Sequence, residues 1–550
     1  MAAVLAVGAL IAAPASALAP RSPDVTVLVS TAASAGRPAE RAVTHLGGSV
    51  IRHLSVIDGF AARVPRDAVP TLWSVPGVRW VSPNRTLHME GQYGQDSGVA
   101  SAVYTDTVRA SKTWGMGVTG TGVTVAVVDT GVNTTGDLAG QVLHSEDFTS
   151  EQNNQDSYGH GTFVAGLIAG TGAASSGAVK GVAPAAKIVS LKIAGADGTT
   201  DVTRVLEALE WIVDFKDAYG IRVVNLSLGF DSQQSYLVDP LDFAVERVWN
   251  AGIVVVAAAG NGNNVPGSIT APGNDPLVIT VGSSNDKTTV ALTDDKLATF
   301  SSVGPTADGI TKPELLAPGR SVVSSRSPGS TIDTTYPDSE IDTSYAKGSG
   351  TSFSTAIASG VAALVIQRAW GLTPNQVKYR MTSTTRVIGG SGSPTWWPGD
   401  VDAFGAAMNL DLTPANQGVT PAAGGGSLQA TRGSFCLRYD DGTCMSDADA
   451  DTALGFDSTQ YFADTWAGSQ WLGSQWLGSQ WLGSQWTGSQ WVGSQWLGLN
   501  QSSGDWAGSQ WLGSQWLGSQ WLGSQWLGSQ WVGSQWLGTP WSSDAWGYLP

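Results

Sequence analysis

The chain has 550 residues, with 29 Lys and Arg against 45 Asp and Glu and a formal net charge of −16. That length exceeds a single hydrophobic core and predicts two to four units. The negative balance excludes the basic surface that a nucleic-acid partner needs. With only 13% charged residues and 69 glycines, the composition suits a close-packed exported protein.

Residues 1–19 read as a signal peptide. An apolar run is followed by Ala15-Ser16-Ala17 and Ala17-Leu18-Ala19, each a small-residue cleavage site. The run is shorter than the roughly 18 residues of a membrane anchor. Residues 20–90 read as a small α+β unit. "DVTVLVS" is a strand, "GRPAERAVTHLGG" a helix stopped by glycines, "SVIRHLSVIDGFAARVP" a strand pair, "DAVPTLWSVPG" a short helix and "VRWVSP" a closing strand. The β-α-β-β-α-β order predicts a split βαβ, ferredoxin-like sandwich.

Residues 91–412 change pattern. "VTVAVVDTG", "KIVSLKI", "IRVVNLSLG", "GIVVVAAAGN" and "LVITVGS" are short, wholly apolar, β-branched runs. Continuous apolarity means burial on both faces, hence a parallel sheet between helices. The helices expected are "TFVAGLIAG", "DVTRVLEALEWIVDFKDAYG", "PLDFAVERVWNAG" and "SFSTAIASGVAALVIQRA". The fold class is therefore α/β, a three-layer domain around a parallel sheet.

Residues 413–464 form a Gly- and Asp-rich linker with both cysteines, Cys436 and Cys444, which an exported chain is expected to join as a disulfide. Asp447, Asp449 and Asp451 alternate there but lack the Gly and closing acid of an EF-hand loop, so they read as a solvated acidic run. In residues 465–550 the pentapeptide GSQWL repeats, with Trp at every fifth position from Trp466 to Trp546 except at Gln501. A period of five fits neither a straight helix nor a strand. Three readings stand: a sticky low-complexity tail, a module stacking its Trp faces on sugars or cell-wall material, and membrane-interface attachment.

Sites of open α/β sheets form at the carboxyl ends of strands. Asp129 ends one strand, where a buried carboxylate needs a partner. His160 stands between two glycines before a helix, its ring left uncrowded. Ser352 opens an Ala- and Val-rich helix, where a serine is ordinarily only a cap. Asn261 follows the strand "VVVAAAG", and by itself would pass for a turn residue. Together they make sense. A serine hydroxyl is a weak nucleophile and needs a base, and an imidazole needs an acceptor to fix its tautomer. The order Asp-His-Ser on an α/β domain is that of subtilisins, and it excludes the Ser-Asp-His order and G-x-S-x-G turn of α/β-hydrolase esterases.

"VAVVDTGV", "GHGTFVAG", "AAAGN" and "GTSFSTA", in this order, resemble the motifs of the subtilisin-like serine proteases, the subtilases, as do "GVAPAAKIVSLKI", "NLSLG" and "KPELLAPG". The resemblance covers most of residues 91–412 and implies a serine endopeptidase: Ser352 nucleophile, His160 general base and acid, Asp129 its orienting acceptor, Asn261 oxyanion donor. Leu226-Ser227-Leu228-Gly229 and Gly195-Ala196-Asp197-Gly198 resemble the two segments that flank an extended substrate. Residues 20–90 resemble the family's inhibitory propeptide, with self-cleavage expected between about Met89 and Thr107. The expected partners are protein or peptide substrates, the chain's own propeptide as inhibitor, and cell-wall or polysaccharide material at the Trp repeats. Secretion, extracellular or at the cell surface, is expected. No cofactor is required for the chemistry. Structural calcium, frequent in the family, stays open and unplaced. One departure is that Ala356 and Ile357 stand where the family usually has Pro and often His. An inactive shell that displays the Trp tail is the competing reading.

Overall fold

The computed structural model describes residues 22–89, 91–93, 98–230, 234–389 and 398–425, together with the backbone of strands between 470 and 537. The expected signal segment, the cysteine pair Cys436 and Cys444, and the acidic run at Asp447–Asp451 lie outside the described residues. Among the described residues no helix is long and apolar enough to cross a membrane.

The N-terminal unit runs β1 (Asp24–Thr31), α1 (Gly36–His45), β2 (Ser49–Leu54), β3 (Gly59–Pro65), α2 (Val69–Trp73) and β4 (Val78–Pro83). The four strands form an antiparallel sheet in the order β2-β3-β1-β4, as the alternating pattern demands. Val27, Val29, Val43, Phe60 and Leu72 make its core, covered on one face by α1 and α2. The next strand, β5 (Thr86–Met89), leaves this sheet altogether.

After two short helices, α3 (Tyr104–Thr107) and α4 (Ala110–Trp114), the large domain begins with β6 (Thr124–Asp129), β7 (Val142–Asp147), α5 (His160–Ala169), β8 (Lys187–Lys192), β9 (Thr199–Asp201), α6 (Val202–Tyr219), β10 (Ile221–Leu226), β11 (Leu228–Gly229), α7 (Pro240–Asn250), β12 (Val254–Ala258) and β13 (Ile279–Asn285). It closes with β14 (Lys296–Leu297), β15 (Leu315–Pro318), β16 (Val322–Ser325), α8 (Thr331–Thr335), β17 (Tyr345–Gly348), α9 (Thr351–Arg368), α10 (Pro374–Ser383) and α11 (Ala403–Met408). The central sheet is ordered β14-β13-β12-β10-β6-β8-β7, with β15 beside β13, and every pairing but β13–β14 is parallel.

Each apolar run of the sequence becomes an inner strand, because a strand covered by helices on both faces exposes no residue to water. Edge strands escaped that rule. β7, "VLHSED", is half-exposed along its length and carries no apolar run. The long helices end where local chemistry ends them. Asp201 accepts the Arg204 N–H at 3.1 Å to start α6, and Gly220, at φ 65°, stops it in the left-handed region. Asp239 caps α7, with Pro240 in its first turn.

In the repeat region the strands pair in parallel and in register. Trp471 lies opposite Trp486, Trp491 opposite Trp511, and Trp511 opposite Trp531. A second ladder aligns Trp481, Trp496, Trp516 and Trp536. Stacked turns of chain produce parallel neighbours, whereas hairpins produce antiparallel ones.

Candidate active site

Three loop junctions at the carboxyl ends of β6, β8 and β10, together with the start of α9, converge on one place. Asp129, the last residue of β6, and His160, the first residue of α5, are fully buried. The helix begins two residues earlier than the apolar pattern of "TFVAGLIAG" suggested, so His160 is inside it rather than before it. Its Nδ1 lies 2.8 and 2.9 Å from the two Asp129 carboxylate oxygens. A proton on Nδ1 satisfies the carboxylate and leaves the basic lone pair on Nε2.

The glycines around His160 have specific work. Gly159 has φ 108°, which an L side chain resists. A Cβ on Gly161 would stand 2.1 Å from the Gly131 carbonyl oxygen and 3.2 Å from Asp129. The close approach of α5 to the end of β6 therefore requires Gly161.

Asp156 is the residue that sequence reasoning missed. Its carboxylate is buried and accepts from Thr130 Oγ1 at 2.7 Å, Gly159 N–H at 2.6 Å and Thr162 N–H at 2.7 Å. Burial pushes its pKa up, and these hydrogen bonds oppose the rise. The Thr130 N–H in turn donates to Asp129 at 2.8 Å, and its Oγ1 accepts the Gly161 N–H at 2.9 Å. The network clamps the start of α5 to β6 and so fixes the histidine ring. The signal was present in "DSYGHG", an Asp placed to satisfy the free N–H groups of a helix start.

Ser352 is the second residue of α9, which is buried from Thr351 to Ile366. Its Oγ donates to the Ser227 carbonyl oxygen at 3.0 Å, and Ser227 Oγ donates to the Ser352 carbonyl at 2.8 Å. The ring of the next residue, Phe353, has its centroid 5.6 Å from that of His160, so the start of α9 and the histidine are neighbours. Ala356 and Ile357 are buried in an uninterrupted helix, which needs no proline to start. Asn261 accepts the Thr351 N–H at 3.0 Å through Oδ1, which turns its NH2 group away from Thr351. Asp129 with His160, and Asn261 with the Ser352 turn, are thus brought together from four distant stretches.

The two flanking segments also meet, with a strand between them. β5 pairs antiparallel with β11, Met89 opposite Leu228 and His88 opposite Gly229. On its other side it pairs with β9, and the Met89 N–H donates to the Gly198 carbonyl at 3.1 Å. Leu226 does not reach that strand. It ends β10, buried opposite Ala257 in the central sheet. Gly195, Ala196 and Asp197 form the turn behind β9, where Glu151 accepts the Ala196 N–H at 2.7 Å and Lys192 Nζ at 2.8 Å. Burial raises the Glu151 pKa, but the bonds from Lys192, Ser157 and Ala196 outweigh it and hold the carboxyl at about 2.

No calcium set can be assigned to these residues. Among the described residues no three His, Cys, Asp or Glu side chains converge as metal ligands, and the loop 170–184 carries no carboxylate.

A three-layer α/β domain with a buried Asp–His pair, a serine at a helix start and a strand-lined groove is the architecture of a serine peptidase. More narrowly, the model described as "Subtilase family" matches residues 120–421, more than half of the chain, and the chain belongs to that family. A model described as "Putative peptidase inhibitor domain" matches residues 12–84. Serine protease AprX of Bacillus subtilis (strain 168) is 39% identical over 54% of this chain and 67% of its own length. Subtilisin Savinase of Lederbergia lenta is 34% identical over 51% of this chain and 90% of its own. The fold is shared with fervidolysin from Fervidobacterium pennivorans, described as a keratinolytic enzyme related to subtilisin, at a TM-score of 0.54 and 22% identity over 72% of this chain and 62% of that one. The protein is a subtilisin-like serine peptidase with an N-terminal inhibitor-like domain.

Proposed function

We propose that the chain is a secreted serine endopeptidase made as a self-processing zymogen, with Asp129, His160 and Ser352 as its triad and Asn261 as oxyanion donor. Ser352 Oγ attacks the scissile carbonyl carbon while His160 Nε2 takes its proton. Asp129 holds the Nδ1–H and stabilises the imidazolium. The Asn261 amide and the Ser352 backbone N–H receive the oxyanion. As the intermediate collapses, His160 returns the proton to the leaving amine. Water then releases the acyl group by the same proton shuttle. Extracellular protein substrates and an export signal at residues 1–19 belong to this reading.

The observation that carries it is the placement of residues 86–89 and 91–93. β5 lies between β9 and β11 as an added strand, a mode of binding that tolerates sequence. Beyond it, Gln92 pairs antiparallel with Ser349, three residues before Ser352, through bonds of 2.7 and 2.9 Å. Residues 90 and 91 alone separate the two paired stretches. A Cβ on Gly91 would stand 3.4 Å from His160 Cδ2. The cut is therefore assigned to the Glu90–Gly91 bond, within the interval expected from the sequence.

The test is the Ser352→Ala variant beside the wild type. It should accumulate as uncut precursor, lose at least about 10^4 in kcat on casein, and leave wild type alone with a mature N-terminus at Gly91. Maturation of the variant, with no other protease present, would sink the reading.

A further inference from the structure

In an extended strand, residues 91 and 93 face the same side. Gly91 has no side chain, and the ring of Tyr93 occupies the space that one would take. A Cβ on Gly91 would lie 2.9 Å from Tyr93 Cε2. A second glycine completes the room, since a Cβ on Gly348 would lie 3.1 Å from Tyr93 Cε1 and 2.8 Å from Phe353 Cε2.

Aromatic rings enclose what the glycines open. Tyr93 is 4% exposed. Its ring meets Phe163 edge-on at 6.1 Å and Phe353 edge-on at 5.8 Å, and it stacks near Tyr336 at 6.3 Å. Phe163 follows His160 by three positions on α5, and Phe353 follows Ser352 directly, so the walls of this hollow are rigidly tied to the reacting groups. Among the described residues the buried Tyr93 hydroxyl has no hydrogen-bond partner. The hollow thus accommodates the ring and gives nothing to the phenol oxygen.

We propose that the hollow lined by Phe163, Tyr336, Gly348 and Phe353 is a selectivity pocket for an aromatic side chain at the third residue after the cut bond, reached when the first residue is glycine. Tyr93 is its occupant in the precursor. Once residues 91–93 leave, the pocket passes to substrates with a Gly-X-aromatic sequence after the cleaved bond. The inference rests on the groove reading above.

The test uses mature wild-type enzyme and peptides with the sequence of residues 84–98, varied at positions 91 and 93, with products located by mass spectrometry. With Gly at 91, Tyr and Phe at 93 should give kcat/KM about tenfold or more above Ala, with Phe at least equal to Tyr. With Ala at 91, that preference should shrink severalfold. In the full chain, Gly91→Ala should slow self-cleavage, and its effect should be smaller on a Tyr93→Ala background, since the two positions compete for one space. Equal kcat/KM for Tyr, Phe and Ala at position 93, or cleavage of these peptides only at other bonds, overturns the pocket while casein hydrolysis stands. Loss of casein hydrolysis as well overturns the proposed function with it.

Discussion

The N-terminal unit touches the large domain in two unlike ways. Its sheet and the turn after β2 meet the large domain over a buried apolar patch of Leu28, Leu54, Val56, Ile57, Ala61 and Trp80, rimmed on helices α6 and α7 by polar groups: Arg52 with Glu207 at 3.2 Å, Asp58 with Arg247 at 3.0 Å, and the Ser55 N–H with Glu210 at 2.9 Å. These groups are partly exposed, with Arg52 at 55% and Asp58 at 35% of the side chain. Its exit strand β5 contrasts with that rim. Leu87 is fully buried, and the strand is held by backbone bonds on both edges. Exposed ion pairs contribute little and are screened by salt, whereas a buried strand keeps its contacts at any ionic strength. The charged rim adds little to the hold. The buried strand adds more, and it does so in the groove where a substrate would lie.

That contrast can be broken most strongly at Leu87. In the uncut Ser352→Ala precursor, Leu87→Ala should destabilise the β5 docking by about 2–3 kcal/mol, read as a loss on the order of 10^2 in hydrogen-exchange protection of residues 86–89. A loss no larger than that of an exposed substitution would show that the buried strand holds no more than the charged rim.

The wall of the groove is the next place to press. Glu151 ties the 195–198 turn to the buried Lys192, and Glu151→Gln should cost about 2–3 kcal/mol at pH 7. The sign with pH follows from its lowered pKa. The carboxylate form is favoured in the folded chain, so the stabilisation is complete above the ordinary value of 4.5 and is lost as pH falls towards about 2. Thermal unfolding of the Ser352→Ala precursor should therefore show the gap between Glu151 and its Gln variant closing over that range. A gap that stays constant would assign the effect to packing instead.

The smallest effect is expected on the charged face. Asp58→Ala should weaken docking by about 0.5–1 kcal/mol at low salt and by less at 0.5 M salt. Hydrogen exchange of β1–β4 in the same precursor would read it. An effect as large as that of Leu87→Ala would invert the comparison.

Much of this was legible beforehand, for reasons that differ by element. β6, β8, β10, β12 and β13 were readable because burial on both faces forces an unbroken apolar run. α6 and α7 were readable because their caps lie beside them in the chain. β7 was hidden, since a half-exposed edge strand carries no such run, and Leu226 was assigned to the groove when it belongs to the sheet. Asp156 was passed over because a single Asp near a glycine reads as a turn residue. Its three acceptor bonds come from residues that only the folded chain sets around it.

The sequence by itself determined which segments must be buried, which face of the N-terminal strands is apolar, and which four polar residues stand at strand ends and helix starts of one α/β domain. Periodicity and capping act over a few residues, so they are written locally. The tertiary structure decided the rest: the 2.8 Å contact between residues 31 apart, the Asp156 clamp, and the placement of residues 86–89 in the groove with Tyr93 against Phe163 and Phe353. Those pairings join residues as far apart as Tyr93 and Phe353, 260 positions along the chain, and they depend on how packed elements meet in space, which no local pattern records.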